Sequence, residues 1–133
     1  GFYKIKAARV KKASEYLIKN YHNKVLKTFE ELIKIPGVGR KVANIILAEC
    51  FNKNVIAVDI HVFRISNRLG LTKSKNPLET ENKLMSIFPE NEWKNINRAL
   101  VVHGQNICSP ISPKCSFCQI EKYCEKINVN NSR

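Results

Sequence analysis

The sequence predicts an all-α chain, and three observations carry that prediction. Apolar residues recur three and four positions apart along most of its length, the spacing of one helix face. Good N-caps stand ahead of several of these patterns, and glycine or proline bounds them. One run reads as a strand, Val55 to Val58. It is only four residues long before Asp59, and nothing else in the chain looks like a partner for it.

The elements follow in order. Lys4 to Asn20 reads as a helix with Ile5, Ala8, Val10, Ala13, Leu17 and Ile18 at its apolar positions and lysines between them. Residues 21–27 connect it to a short helix. Thr28 caps that helix, Glu31 completes a capping-box pattern, and the helix stops before Pro36. Ile35-Pro36-Gly37-Val38-Gly39-Arg40-Lys41 then makes a tight hairpin. Gly37 and Gly39 can take backbone angles closed to other residues and, lacking Cβ, let another backbone come close. Arg40 to Phe51 is the next helix, with Val42, Ala43, Ile45, Ile46 and Leu47 expected to be mostly buried and Cys50 expected to pack in the core. Asn52 to Asn54 break it. Val55 to Val58 reads as a buried extended segment. Asp59 caps a helix to Leu69 that Gly70 ends. Asn76 and Pro77 start a helix to Phe88, with proline at the favoured first position. A long helix opens at Glu90 or Asn91 and runs through Ile107. Gly104 inside it costs about 1 kcal/mol against alanine, which marks a point of close packing. The tail from Asn128 is polar and expected to fray.

A chain of 133 residues with 44% hydrophobic residues forms one domain or two very small ones, with enough apolar side chains for a core. Its net charge is +12, from 23 basic and 11 acidic residues, and a field of that sign draws polyanions. Nucleic acid is favoured over an anionic membrane, because no apolar run approaches ~18 residues. No signal-peptide pattern stands at the start. Five cysteines are an odd number, and four lie between 108 and 124, which disfavours a secreted disulfide framework. The expectation is an intracellular protein whose clustered thiols bind metal. Residue 1 is glycine rather than methionine, so a processed start or a piece of a longer chain is expected.

Three groups carry chemistry. The hairpin leads into a helix N-terminus, whose outward amides suit an anion such as a DNA phosphate. Lys41 lies at that helix start, where the dipole disfavours the ammonium form, and partial burial would add to the effect. A free amine can attack an aldehyde carbon and form a Schiff base; binding phosphate is the commoner role for lysine. Asp59 is an N-cap by pattern, and its carboxylate could also stabilise a cationic intermediate or shuttle protons. Cys108, Cys115, Cys118 and Cys124 follow C-x6-C-x2-C-x5-C. Four thiolates suit zinc or an iron–sulfur cluster, and the unequal loops suit the bulkier group somewhat better.

Taken together, Ile35 to Leu47, Val58-Asp59-Ile60-His61-Val62 and the cysteine loop resemble the endonuclease III family in order and spacing. These are base-excision DNA glycosylases of the helix-hairpin-helix superfamily. The resemblance runs from Gly1 to about Lys126. It implies the helix-hairpin-helix DNA glycosylase fold: a partial six-helix domain over residues 1–53, with the hairpin motif at 28–51, an iron–sulfur cluster domain at 54–127, and a polar tail at 128–133. It further implies Lys41 as the Schiff-base nucleophile, Asp59 as the active-site aspartate and a [4Fe–4S] cluster on the four cysteines. DNA contacts are implied at Gly37, Val38, Gly39, Arg40, His61, Lys114 and Phe2, the last aligning with a residue that wedges into the DNA stack. The implied activity is bifunctional: removal of damaged, chiefly oxidised, pyrimidines from double-stranded DNA by base flipping, then β-elimination at the abasic site. The protein is expected to act as a monomer away from membranes, in the cytoplasm of a prokaryote or the nucleus or mitochondrion of a eukaryote. Two rivals remain: a non-catalytic DNA-binding fragment that keeps hairpin and cluster, and a zinc-stabilised interaction domain. There are two departures from the family. Ile60 stands where threonine is usual, which removes a hydroxyl beside Asp59, and the family's additional N-terminal helices, which contribute to the base pocket, are missing.

Overall fold

The computed structural model describes residues 2–133. It is helical throughout, with no strand among the described residues. Six α-helices follow one another: α1 Tyr3–Tyr21, α2 Phe29–Leu32, α3 Arg40–Phe51, α4 Ile60–Arg68, α5 Pro77–Ile87 and α6 Trp93–Asn106. Short 3-10 turns stand at Glu90–Glu92, Cys115–Phe117 and Glu121–Tyr123. The chain divides into two compact units, one ending at Lys53 and the other beginning at Asn54.

In the first unit the helix ends are set by local chemistry. Glu31 donates its backbone N–H to Thr28 Oγ1 at 3.4 Å, and the Thr28 hydroxyl donates to the Glu31 carboxylate at 2.6 Å. Leu32, Ile35, Ala43 and Leu47 are buried. Two burial expectations fail here. Val42 and Cys50 are exposed. Helix α1 has no buried residue at all, and Ile5, Val10 and Ile18 lie open to solvent. Periodicity identifies the apolar stripe of a helix, but it does not supply the surface that covers it.

The second unit holds a continuous apolar core. Ile56, Val58, Val62, Leu84 and Ile96 form its centre, and Phe63, Leu71, Met85, Phe88, Trp93 and Leu100 pack around them. Residues 55–58 are extended without pairing as a strand. A buried carbonyl in such a segment needs another donor, and the Asn97 side-chain amide on α6 supplies it to Ala57 O at 2.6 Å. Helices α4 and α6 pack directly on each other, and side chains of α4 crowd Gly104 on α6. A Cβ at Gly104 would stand 2.5 Å from His61 Nδ1 and 2.9 Å from Ile65 Cδ1, so the close packing expected there is present.

The tail does not fray. Ile127 donates to Arg68 O at 3.2 Å, Arg133 donates to Pro113 O at 2.9 Å, and Ser116 donates to Arg133 O at 3.2 Å. Its polar composition gave no sign of these bonds because they are made entirely by the backbone.

Candidate functional site

The hairpin is a tight turn with one strained position. Val38 N–H donates to Ile35 O at 3.0 Å, closing Ile35-Pro36-Gly37-Val38 as a four-residue turn. Proline at the second place and a positive φ of 84° at Gly37 in the third are the signature of type II. Gly39 departs from expectation, since its φ of −101° is open to any residue. A Cβ on Gly39 would meet nothing within 4 Å, whereas one on Gly37 would press on the Arg9 side chain at 3.1 Å. Gly39 is the N-cap of α3 and has no side chain to cap it, so the helix start is covered by backbone alone. The Arg40 guanidinium lies over the Phe29 ring, 4.6 Å from its centroid, and ties the two helices of the hairpin together.

Lys41 follows as the second residue of α3 and is exposed. Phe2 is 78% exposed, with φ 60°, ahead of α1.

Asp59 caps α4 in the second unit. Its Oδ1 accepts from the amides of His61 at 2.8 Å and Val62 at 2.9 Å, which fixes the carboxylate's orientation. Because these donors come from Asp59's own loop and helix, a hydroxyl at position 60 is not needed for the cap; Ile60 points to solvent, 72% exposed. His61 is half-buried. The Arg64 guanidinium donates to its Nδ1 at 3.1 Å, which leaves the ring hydrogen on Nε2 in the neutral form.

All four clustered cysteines line one small cavity of about 30 Å³ together with Ile65, His103 and Val129. Lys114 also lines it, half-buried, and its backbone N–H donates to Ile107 O. Among the described residues, no three His, Cys, Asp or Glu side chains come together as the ligand set of a single metal ion. Burial pushes the Cys124 thiol up from its ordinary value, and the Cys108, Cys118 and Cys115 thiols around it push the same way. Burial lowers His103, whose Nε2 lies 3.8 Å from Cys118 Sγ.

Two residues that the sequence did not single out organise this loop. Arg68 is buried and forks onto Ser109 O at 2.6 Å and Pro110 O at 2.7 Å, with a third contact to Cys108 Sγ at 3.3 Å. Its own carbonyl accepts from Ile127 N–H and, at 3.4 Å, from the Cys124 thiol. Arg64 reaches Cys108 O at 2.8 Å. The available signal was their placement: two arginines four apart on a short helix whose neighbours Val62 and Ile65 are core residues. Buried arginine is rare unless its donors are matched.

Comparisons with known proteins bear on the family and the fold. Residues 1–90 match the family model for HhH-GPD superfamily base excision DNA repair proteins. Endonuclease III of Thermotoga maritima is 46% identical over 125 residues, spanning 94% of this chain and 59% of that protein. Endonuclease III of Buchnera aphidicola is 48% identical over 126 residues, spanning 94% and 60%. A solved structure of a trapped endonuclease III–DNA covalent intermediate superposes with a TM-score of 0.86 at 38% identity, over 95% of this chain and 60% of that one. The chain thus spans about 60% of the length of the curated relatives it matches. No helix of the described residues is long and apolar enough to cross a membrane. With the family model covering the hairpin, the Asp59 cap and the whole of α5, the chain belongs to the HhH-GPD superfamily of base excision DNA repair proteins.

Proposed function

We propose that this chain carries the hairpin, nucleophile and cluster loop of a bifunctional DNA glycosylase and abasic-site lyase acting on damaged pyrimidines in double-stranded DNA. The observation that carries the reading is Lys41, an exposed primary amine at the second position of the helix that leaves the glycine turn. Among the similar solved structures is a covalent endonuclease III–DNA intermediate, and a lysine amine is a group that forms such a bond with a sugar carbon.

The steps follow from the groups. A DNA phosphate approaches the start of α3 over Gly39, where no side chain stands in the way. The damaged nucleotide leaves the stack. The Lys41 amine, in its neutral form, attacks C1′, the bond from C1′ to the base breaks, and the base departs with a proton. The C1′–O4′ bond then opens, its electron pair leaving on O4′, which takes up a proton, and the nitrogen lone pair forms the iminium; this iminium accepts the electron pair released when the C2′ proton is removed. The C3′–O bond then breaks and the 3′ phosphate leaves. Water hydrolyses the Schiff base and restores the lysine. Asp59, held by two amides, supplies a fixed carboxylate to balance positive charge on the sugar or to accept a proton. His61, Arg40, Lys114 and Phe2 are the further DNA contacts of this reading, and the protein works as a monomer in a DNA-containing compartment.

The residues fit a [4Fe–4S] cluster. Four cysteines line one cavity with apolar Ile65, Ile107 and Val129 beside them, a thiolate donor set in an apolar surrounding that suits such a cluster. Bound there, the cluster would cross-link the loop through Cys108, Cys115, Cys118 and Cys124 and balance their charge. Arg68 and Arg64 hold the loop's first cysteine from the α4 side.

The test is borohydride trapping on a duplex with one abasic site, comparing wild type with Lys41→Ala. A covalent protein–DNA band from wild type alone is expected. A brown, DNA-binding wild type that yields no band would sink the lyase reading and favour a binding module.

A further inference from the structure

We infer that residues 126–133 are a strap that closes the four-cysteine cavity and limits the access of solvent and chelators to the group held inside. The inference rests on the cluster reading above. Both ends of the strap are fastened by backbone hydrogen bonds. At one end Lys126 N–H reaches Cys124 Sγ at 3.4 Å, and Ile127 N–H reaches Arg68 O. At the other end Arg133 exchanges two bonds with the loop that carries Cys115: its N–H donates to Pro113 O, and its carbonyl accepts from Ser116 N–H. Between the anchors, Val129 and Lys126 themselves line the cavity. The reversal of direction is built in, with Lys126 at φ 53° and Asn128 at φ 57°, a region that asparagine tolerates better than most residues. Val129 N–H closes this turn on Lys126 O at 3.0 Å.

The chemistry of the strap suits a cover better than a ligand. Val129 brings an apolar side chain to the cavity wall, and an apolar wall keeps water from the thiolates. Asn128, Asn130 and Asn131 line an outer cleft with Pro110 and Ile111; Val129 borders that cleft too, and unlike these asparagines it also lines the thiol cavity. The anchors are a few main-chain bonds at the surface, the kind of segment that opens locally without global unfolding.

The experiment uses the full chain, the chain lacking residues 128–133, and Val129→Ser, each reconstituted anaerobically with iron and sulfide. The readout is the rate at which the brown visible absorption bleaches under an iron chelator. The deletion should bleach about tenfold faster and Val129→Ser by an intermediate factor, as expected if opening of the strap limits access. A second readout does not need the cluster. In metal-free protein, alkylation of the four cysteines should quicken on deletion relative to the exposed Cys50, which serves as an internal standard. Bleaching and alkylation rates equal to wild type in both variants would overturn the strap and leave the cluster reading standing. A protein that stays colourless after reconstitution would overturn the cluster reading, and the strap would then stand or fall on whether alkylation quickens on deletion.

Discussion

Arg68 concentrates more of the second unit's polar bonding than any residue named from sequence. Its guanidinium satisfies two loop carbonyls and touches one thiol, and its carbonyl receives the tail. Arg68→Met would leave Ser109 O and Pro110 O without those donors in a part-buried setting. Unpaired buried acceptors cost roughly 1–3 kcal/mol each, so a loss of about 2 kcal/mol or more is expected, read as a lowered thermal midpoint together with reduced iron content. Arg68→Lys should recover only part, since an ammonium cannot fork onto two carbonyls. A methionine variant that melts like wild type with full iron would refute the assignment. Sequence reading reached the cysteines because thiolates at short spacing have few other uses. It missed Arg68 because the partners are main-chain carbonyls some forty residues away, which no side-chain pattern encodes. The same limit applies to Lys41: its place in the helix was legible, but its exposure was not.

Among the elements, the two hairpin glycines that the sequence presents alike separate once their surroundings are known, and Gly104 stands apart from both at a helix crossing. Gly104→Ala should destabilise by about 1–3 kcal/mol, because a Cβ would force α4 and α6 apart at His61 and Ile65. Gly37→Ala should cost about 1 kcal/mol or more for its left-handed φ, with the Arg9 contact adding to it. Gly39→Ala should leave stability within about 0.5 kcal/mol and instead weaken binding to an abasic duplex, since the only space its methyl takes is open. Denaturant midpoints and a binding titration on the three variants decide the matter; a Gly39→Ala that unfolds early or binds normally would contradict this ordering. Helix α5 offers a pH test. The Glu79 carboxylate accepts from Lys75 N–H at 2.8 Å and pairs with Lys83, and these hold it below its ordinary value of 4.5. A depressed carboxylate stabilises fully above its unfolded value and loses that contribution as pH falls through the folded one. Glu79→Gln should therefore unfold slightly more easily at neutral pH and lose less stability than wild type on acidification below 4.5. Parallel acid-side curves for the two proteins would show that the cap contributes nothing. Element ends were legible because Thr28, Asp59 and Asn76 encode them locally. The exposed faces of α1 and α3 were not, because burial depends on what lies opposite.

For the molecule as a whole, the question is how far the cysteine loop's stability is shared. The core of the second unit is built from Ile56, Val58, Val62, Leu84 and Ile96, none of which lies in the loop. The loop is fastened to it through α4, by Arg64 and Arg68, and through the start of the loop after α6. If the loop holds the proposed cluster, removing that cluster should therefore release the loop while the core persists. Hydrogen exchange on chelated protein is expected to speed up over residues 107–133, where the backbone bonds are few and near the surface, and to spread in part to the C-terminal turn of α4 that carries Arg68. Amides of α5 and the first half of α6 should keep their protection, and so should the first unit, whose α2–α3 hairpin forms within its own compact body. Full loss of protection across α5 and α6 on chelation would mean that the group inside the cysteine cavity is part of the folding nucleus of the second unit. In that case the apolar core alone would not hold the unit together, and the separation of core from loop argued here would be wrong.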